Sequence, residues 1–295
     1  MTDIIKRSKT ISEGYRSNDG SGKERFVKTK NDALAYAISR MPATFGAIYS
    51  AVSHGAELLT EIPKTLLDVG SGTGAGAIAI NSVFNLNNTT CLEKEPEMLN
   101  VGKLLTEDIN ADWLGFDLIK DNINSNADIV SACYVLNELP KNQRLKALEK
   151  LYSVAEDLLL IVEPGTPESY SQMMEYREYL LSQKATIIAP CSHEAVCNLN
   201  GDWCAFTTRV NRTKEHMLSK GGSQNFEDEK FCYLFVSKKQ KPLAVGERIL
   251  RKPVYKPKQI LLDVCTKNGA NKKVITKSCD NYKQVKKLDC GDLVK

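Results

Sequence analysis

Two groups of residues in this 295-residue chain have types and spacings that can do chemistry. The first is Asp68-Val69-Gly70-Ser71-Gly72-Thr73-Gly74, an acid followed by alternating glycines, with Glu93 closing the next apolar run. Glycines there let the backbone turn tightly and approach a ligand closely. A helix starting behind them offers unpaired N–H groups at its N-terminus. A carboxylate after the second strand can accept both hydroxyls of a ribose. Asp68, Gly70, Ser71, Gly72, Gly74 and Glu93 are therefore candidate cofactor residues. The second group is Cys191-Ser192-His193-Glu194-Ala195-Val196-Cys197, continuing to Asp202-Trp203-Cys204. A short, turn-rich segment can bring soft thiolates onto one metal, with a fourth ligand from His193, His216, Cys232, Cys265, Cys279 or Cys290. An all-cysteine set describes an iron–sulfur centre, and three Cys with one His describes zinc. The spacing lacks a CxxC knuckle, and three inert buried cysteines are the rival reading.

These residues need elements to hold them. The polar stretch 1–30 reads as loose or partly helical. Apolar residues from Ala33 to Val52 recur at helical spacing and predict two helices, with Pro42 near the start of the second. A strand–helix alternation follows: strands at Thr65–Val69, Thr89–Glu93, Trp113–Leu118, Ala127–Cys133 and Leu158–Val162. Helices are expected at Ala75–Phe84, Pro96–Leu105, Lys141–Val154 and Tyr170–Ala185. That rhythm predicts βαβ units on a mostly parallel sheet, with ligands at the carboxyl ends of its strands. Past residue 186 the rhythm breaks. A basic helix is expected over Thr207–Lys220, ended by Gly221-Gly222. A strand is expected over Phe231–Ser237, and a hairpin turning at Lys267-Asn268-Gly269-Ala270. The division expected is a helical region 1–60, a cofactor core 61–185 and a Cys-rich, basic region 186–295.

Hydrophobic residues make up 42% of the chain, which excludes the disordered and collagen-like classes. No window approaches the roughly 20 apolar residues of a membrane span. The first residues carry no readable signal or transit peptide, so a cytoplasmic location is expected, and with it no disulfide framework among the nine cysteines. The net charge of +4 hides an asymmetry: residues 41–200 hold 10 basic and 21 acidic side chains, residues 201–295 hold 21 and 10. A basic last third points to a polyanionic partner, in the first place nucleic acid. Arg209, Arg212, Lys214 and Lys220 on the expected helix, and the lysines around the hairpin, are the candidate phosphate contacts. Trp203, Phe206 and Phe226 can stack on bases, with core packing as the alternative for each.

The acid-and-glycine spacing at residues 68–74 resembles motif I of class I S-adenosylmethionine-dependent methyltransferases. There the loop faces the methionine moiety and the acid after strand two holds the ribose. Amine-directed members carry an Asn/Asp-Pro-Pro-aromatic motif after strand four. The corresponding run, Ser131 to Pro140, does not match it. Asn137 and Glu138 are read as helix-capping, with action on a substrate as the alternative, and no catalytic residue is assigned. Ala189-Pro190-Cys191-Ser192 also looks like the Pro-Cys-Ser loop of RNA cytosine-5 methyltransferases, but it follows strand five rather than strand four.

Taken together, the blocks resemble one family, the methyltransferase-like small-ribosomal-subunit proteins, bacterial members and mitochondrial ribosome-assembly factors included. The resemblance rests on Arg40-Met41-Pro42-Ala43-Thr44, the Asp68–Gly74 loop, Glu163-Pro164-Gly165-Thr166-Pro167 and Pro190-Cys191-Ser192-His193. Asp202-Trp203-Cys204-Ala205-Phe206, Gly221-Gly222-Ser223, Leu262-Asp263-Val264-Cys265-Thr266 and Gly291-Asp292-Leu293 extend it. It implies a Rossmann-like fold that binds S-adenosylmethionine. It also implies a four-cysteine site, a 4Fe-4S cluster in mitochondrial members, on Cys191, Cys197, Cys204 and Cys265, with zinc as the alternative metal. Ser192 stands where the family commonly has proline, and so does Asn198; neither change removes a ligand. The function implied is an rRNA-binding, methyltransferase-like protein of the small subunit, acting in ribosome assembly as a monomer. A non-catalytic scaffold and a small-molecule methyltransferase are the alternatives.

Overall fold

The computed structural model describes residues 26–199, 201–219, 224–243 and 246–294, with Arg7, Ser8, Thr10, Ile11 and Gly14 before them. Lys220 and the Gly221-Gly222 helix stop lie outside these residues. Helix α1 (Lys30–Ser39) opens with a capping box in which Thr29 and Asp32 each accept the other's backbone N–H. Helix α2 (Met41–Ala56) carries Pro42 in its first turn, where no amide partner is lost.

The main sheet has the order β3-β2-β1-β4-β5-β8-β6, with β7 also paired to β8. Strands β1 (Thr65–Val69), β2 (Asn88–Glu93), β3 (Ala111–Gly115), β4 (Ala127–Cys133) and β5 (Ala155–Pro164) run parallel. Strand β8 (Phe226–Ser237) is antiparallel to β5 and wedges between it and β6 (Thr186–Ala189). Its first half pairs with β7 (Phe206–Asn211). Helices α2 and α3 (Ala75–Val83) cover one face, where Ala47, Ile48, Val52 and Ile80 meet Phe206, Phe231 and Phe235. Helices α5 (Lys141–Val154) and α6 (Pro167–Ser182) cover the other, where Leu148, Leu151, Tyr176 and Leu180 meet Leu159 and Leu234. Helix α4 (Pro96–Leu105) flanks the β3 edge, with Gly102 against the Trp113 ring. A five-stranded second sheet follows, β10-β11-β9-β13 with β12 on β11. Its strands are β9 (Glu247–Ile249), β10 (Val254–Lys256), β11 (Gln259–Thr266), β12 (Gly269–Thr276) and β13 (Leu293–Val294). Among the described residues no helix is long and apolar enough to cross a membrane.

Several expected elements change bounds, β5 and β8 by extension, and three of the changes have a local reason. The third strand is Ala111–Gly115 rather than Trp113–Leu118, because its register follows β2 and pairs Cys91 with Trp113. The expected basic helix Thr207–Lys220 is strand β7 followed by the short helix α7 (Lys214–Ser219). β-branched Thr207, Thr208 and Val210 favour the extended state, and pairing with β8 supplies the hydrogen bonds. The last helix of the core begins at Pro167, three residues before the expected Tyr170, because Thr166 caps it through the Ser169 amide.

The seam between α2 and the sheet is tight. A Cβ on Gly55 falls 2.0 Å from Phe235 Cδ1, and Phe235 is fully buried. Gly55→Ala is therefore expected to destabilise the fold by roughly 1–3 kcal/mol, the usual cost of overpacking. Urea unfolding with an unchanged m-value reads it, and a stability equal to wild type would contradict this packing.

Candidate functional site

The glycine loop leaves the carboxyl end of β1 and is pinned to β2. Gly70 and Ser71 donate their amides to Leu92 O at 2.8 and 3.1 Å. Gly70, Gly72 and Gly74 adopt φ of 73°, 57° and 90°, the left-handed region where a Cβ is costly. Gly74 is the N-cap of α3. Glu93 ends β2 and turns its carboxylate onto the loop, accepting the Gly72 amide at 2.7 Å and the Glu95 amide at 2.8 Å. Burial pushes its pKa up against these stabilising hydrogen bonds. Asp68 is buried beneath α3, where its carboxylate lies 2.8 Å from the place a Gly76 Cβ would take. Ser131 Oγ donates to it, and desolvation raises its pKa.

A cavity of ≈ 400 Å³ opens against this loop. Asp68, Gly70, Ser71, Gly72 and Glu93 line it. Gly74 does not, so its role in the geometry is to start α3. Two buried polar atoms of lining residues, Asp68 Oδ2 and Thr73 Oγ1, have no hydrogen-bond partner among the described residues. A cavity of that size with orphaned polar atoms beside a glycine turn fits a nucleoside cofactor. The opposite wall comes from the N-terminal helices and the turn after β4, including Tyr36, Thr44, Tyr134 and Glu138. Tyr134 sits at φ 60°, and its hydroxyl donates to Glu229 at 3.3 Å, beside Arg40 at 3.2 Å from the same oxygen. Asn137 and Glu138 do not cap α5. They lie in a 3₁₀ turn, Leu136–Glu138, before Pro140 takes the N-cap position. Sequence patterns could not reveal this wall, since Tyr36 belongs to no motif and Thr44 entered only within the Arg40–Thr44 block, with no role attached.

The cysteines converge from the irregular segment between β6 and β7 and from strands of both sheets. Cys191, Cys197, Cys204 and Cys265 line one small cavity of ≈ 30 Å³, with Cys232 also on it. The segment that carries the first three is tied from four sides. Arg177 of α6 donates to His193 O and Ala195 O at 2.9 and 3.0 Å. Arg248 of β9, itself buried, donates to Pro190 O at 3.2 Å. Arg251 donates to Trp203 O at 2.6 Å. The Ala270 amide of the hairpin donates to Asn198 at 2.7 Å. Burial pushes the Cys191 thiol up to about 11. That is opposite in direction to the activation a cysteine nucleophile needs. Burial, then the neighbouring Cys191 and Cys265, raise Cys204. Among the described residues no three His, Cys, Asp or Glu side chains are arranged to hold a metal ion. Five thiols and His193 line this cavity; Cys191, Cys197, Cys204 and Cys265 among them are the all-thiolate donor set an iron–sulfur centre takes.

The basic third is less free than its composition implies. Arg209 makes two 2.8 Å bonds to Asp228 and lies 4.0 Å over Phe226, and Arg212 holds Glu227 at 2.7 Å. Phe206 is buried in the core, and Trp203 Nε1 donates to Gly165 O at 3.0 Å. Lys256, Lys258, Lys272 and Lys277 on the second sheet are exposed and form no ion pair with the described residues.

This strand order, with one antiparallel strand inside a parallel sheet and a glycine loop facing an acid after β2, defines a Rossmann-like protein of the class I methyltransferase type. The chain belongs to the family of the mitochondrial small ribosomal subunit protein Rsm22, whose family model matches residues 30–295. This is the family expected from the sequence blocks. The human ribosome assembly protein METTL17, mitochondrial, is 24% identical over 82% of this chain and 57% of its own length. The Rsm22-cox11 tandem protein 2, mitochondrial, of Schizosaccharomyces pombe is 22% identical over 99% of this chain and 47% of its own. The chain thus spans about half the length of these curated relatives. Similar solved structures include the plantazolicin methyltransferase in complex with SAH, at TM-score 0.47 and 12% identity over 81% of this chain and 97% of that one. A putative RNA methyltransferase from Pyrococcus horikoshii has TM-score 0.42 and 13% identity over 79% and 96%. The expected cytoplasmic location is corrected by these matches, because the family and both relatives are mitochondrial.

Proposed function

We propose that this chain is a methyltransferase-like assembly protein of the mitochondrial small ribosomal subunit that binds S-adenosylmethionine and rRNA and carries a 4Fe-4S cluster. The observation that supports it most is the ≈ 400 Å³ cavity on the glycine loop, with its two orphaned buried oxygens. In this reading Gly70, Ser71 and Gly72 let the backbone meet the cofactor, while Asp68 and Glu93 hold the loop and supply acceptors. Gly74 directs α3 behind it. When bound, S-adenosylmethionine supplies an electrophilic methyl group. Cys191, Cys197, Cys204 and Cys265 would hold the cluster, which would cross-link the cysteine segment to the second sheet. The helical region from residue 26 to 60 then covers the cofactor core of 61–185, and the described residues of 186–295 form the RNA-facing region. Within it the rRNA contacts are Lys256, Lys258, Lys272 and Lys277, because the β7 arginines are engaged by Glu227 and Asp228.

The test is one anaerobic preparation, analysed for iron and sulfide and titrated with S-adenosylmethionine. About four irons per chain and saturable binding are expected. A preparation with neither would overturn the reading. The unmatched run after β4 favours a second reading, a scaffold that binds the cofactor without transferring its methyl group. Mass spectrometry of rRNA from a deletion strain separates the two: loss of one methyl mark excludes the scaffold.

A further inference from the structure

The cofactor cavity is acidic on its own lining. Asp68, Glu93, Glu95, Asp117 and Glu138 contribute carboxyls, and the two lysines of the wall, Lys94 and Lys120, both lie on Asp117, at 3.2 and 3.8 Å. Arg40, on the far side, is engaged by Glu229. Glu93 is held by two amides and Asp68 by Ser131. Glu138 differs: its carboxyl makes no hydrogen bond or ion pair with the described residues. Its backbone is nonetheless fixed, since the Leu136 and Asn137 amides of the same turn donate to Glu163 at 3.1 and 3.2 Å. The charged and titratable groups that face Glu138 are Glu93, Lys94 and Glu95 after β2, Glu163 at the end of β5 and Tyr36 of α1. Acids outnumber the one lysine, so the position attracts a cation.

We propose that Glu138 makes the cavity charge-selective, favouring a cationic sulfonium ligand over the neutral thioether of the same shape. This rests on the reading that the cavity takes S-adenosylmethionine, and it specifies which form of the cofactor is retained. S-adenosylmethionine and S-adenosylhomocysteine differ by one methyl group and one positive charge at sulfur. A carboxylate with no partner of its own gains from that charge and gains nothing from the thioether. The selectivity holds whether or not the chain transfers the methyl group.

The proton linkage has a definite sign. Burial and the neighbouring acids push Glu138 up to about 8 in the free protein. A bound cation favours its ionised form, so sulfonium affinity rises as pH climbs through that value and falls below it. Both ligands carry the same amino acid group, so the ratio of their affinities isolates the sulfur charge.

Calorimetric titration of the full chain with both ligands, at about pH 6.5 and about pH 8.5, tests this. The preference for S-adenosylmethionine is expected to grow roughly five-fold between them. In Glu138→Gln the preference should be smaller and independent of pH. A wild-type ratio that stays constant overturns the proposal without any variant. A Glu138→Gln ratio that keeps the wild-type slope also overturns it, and moves the effect to the neighbouring acids Glu93 and Glu163. Absence of binding by both ligands is a distinct outcome: it overturns the cofactor reading itself, and the charge selectivity with it.

Discussion

Gly70→Ala is expected to lower S-adenosylmethionine affinity by about tenfold or more, and to destabilise the fold by roughly 1–3 kcal/mol. Two costs add at this position. At φ 73° an L side chain is strained, and the new Cβ falls 2.5 Å from Val135 Cγ2 and 2.8 Å from Val135 Cβ. Val135 lies on the opposite wall of the cofactor cavity. Relief requires the loop to retreat from Leu92 O or the turn after β4 to move, and either shift alters the cavity. Gly115→Ala is the control, because nothing lies within 4 Å of its Cβ position. Its melting temperature and cofactor affinity should match wild type. Cofactor binding at wild-type affinity by Gly70→Ala would remove this loop from the site.

Cys265→Ser is expected to reduce iron and sulfide in anaerobic preparations to near background, and to loosen the second sheet from the cysteine segment. Cys265 lies on β11 in register with Ala270 and Arg248. Its thiol shares a cavity with Cys191, Cys197 and Cys204, although they are distant in the chain. Serine keeps the size and removes the soft donor an iron–sulfur centre needs. Cys279→Ser, in a turn outside that cavity, should keep its iron. Equal iron in wild type and Cys265→Ser would exclude Cys265 as a ligand. Hydrogen exchange at the Ala270 amide, bonded to Asn198, would report the loosening.

Much of the parallel half of the fold was legible in the chain, for a local reason. Ala127–Cys133, Pro96–Leu105 and Lys141–Val154 are bounded as expected because apolar periodicity and proline define their ends. The antiparallel half was less so. The first half of β8, Phe226-Glu227-Asp228-Glu229-Lys230, is too polar to read as a strand. Arg212 and Arg209, 15 and 19 residues back, and Arg40, 189 residues away, take up its three acids. β7 was misread for the same reason: arginine and threonine spacing mimicked a basic helix, while its partner lay beyond the next turn. The glycine loop could be found from residue types alone. The wall that faces it could not, since Glu138 acquires its character from Glu93 and Glu163, groups that only the fold brings near.

Strand β8 also sets an order in time. It lies between β5 and β6, yet it is synthesised after both. Until about residue 237 has emerged, β5 keeps a bare edge and β6 has no neighbour in the sheet. The parallel core can form as it emerges, but its last edge must wait for a long-range pairing that is slow to close. A nascent chain that stops short of Ser237 carries an open apolar strand edge, the template on which aggregation starts. A protein whose family belongs to the small ribosomal subunit thus depends on uninterrupted translation to complete its own sheet.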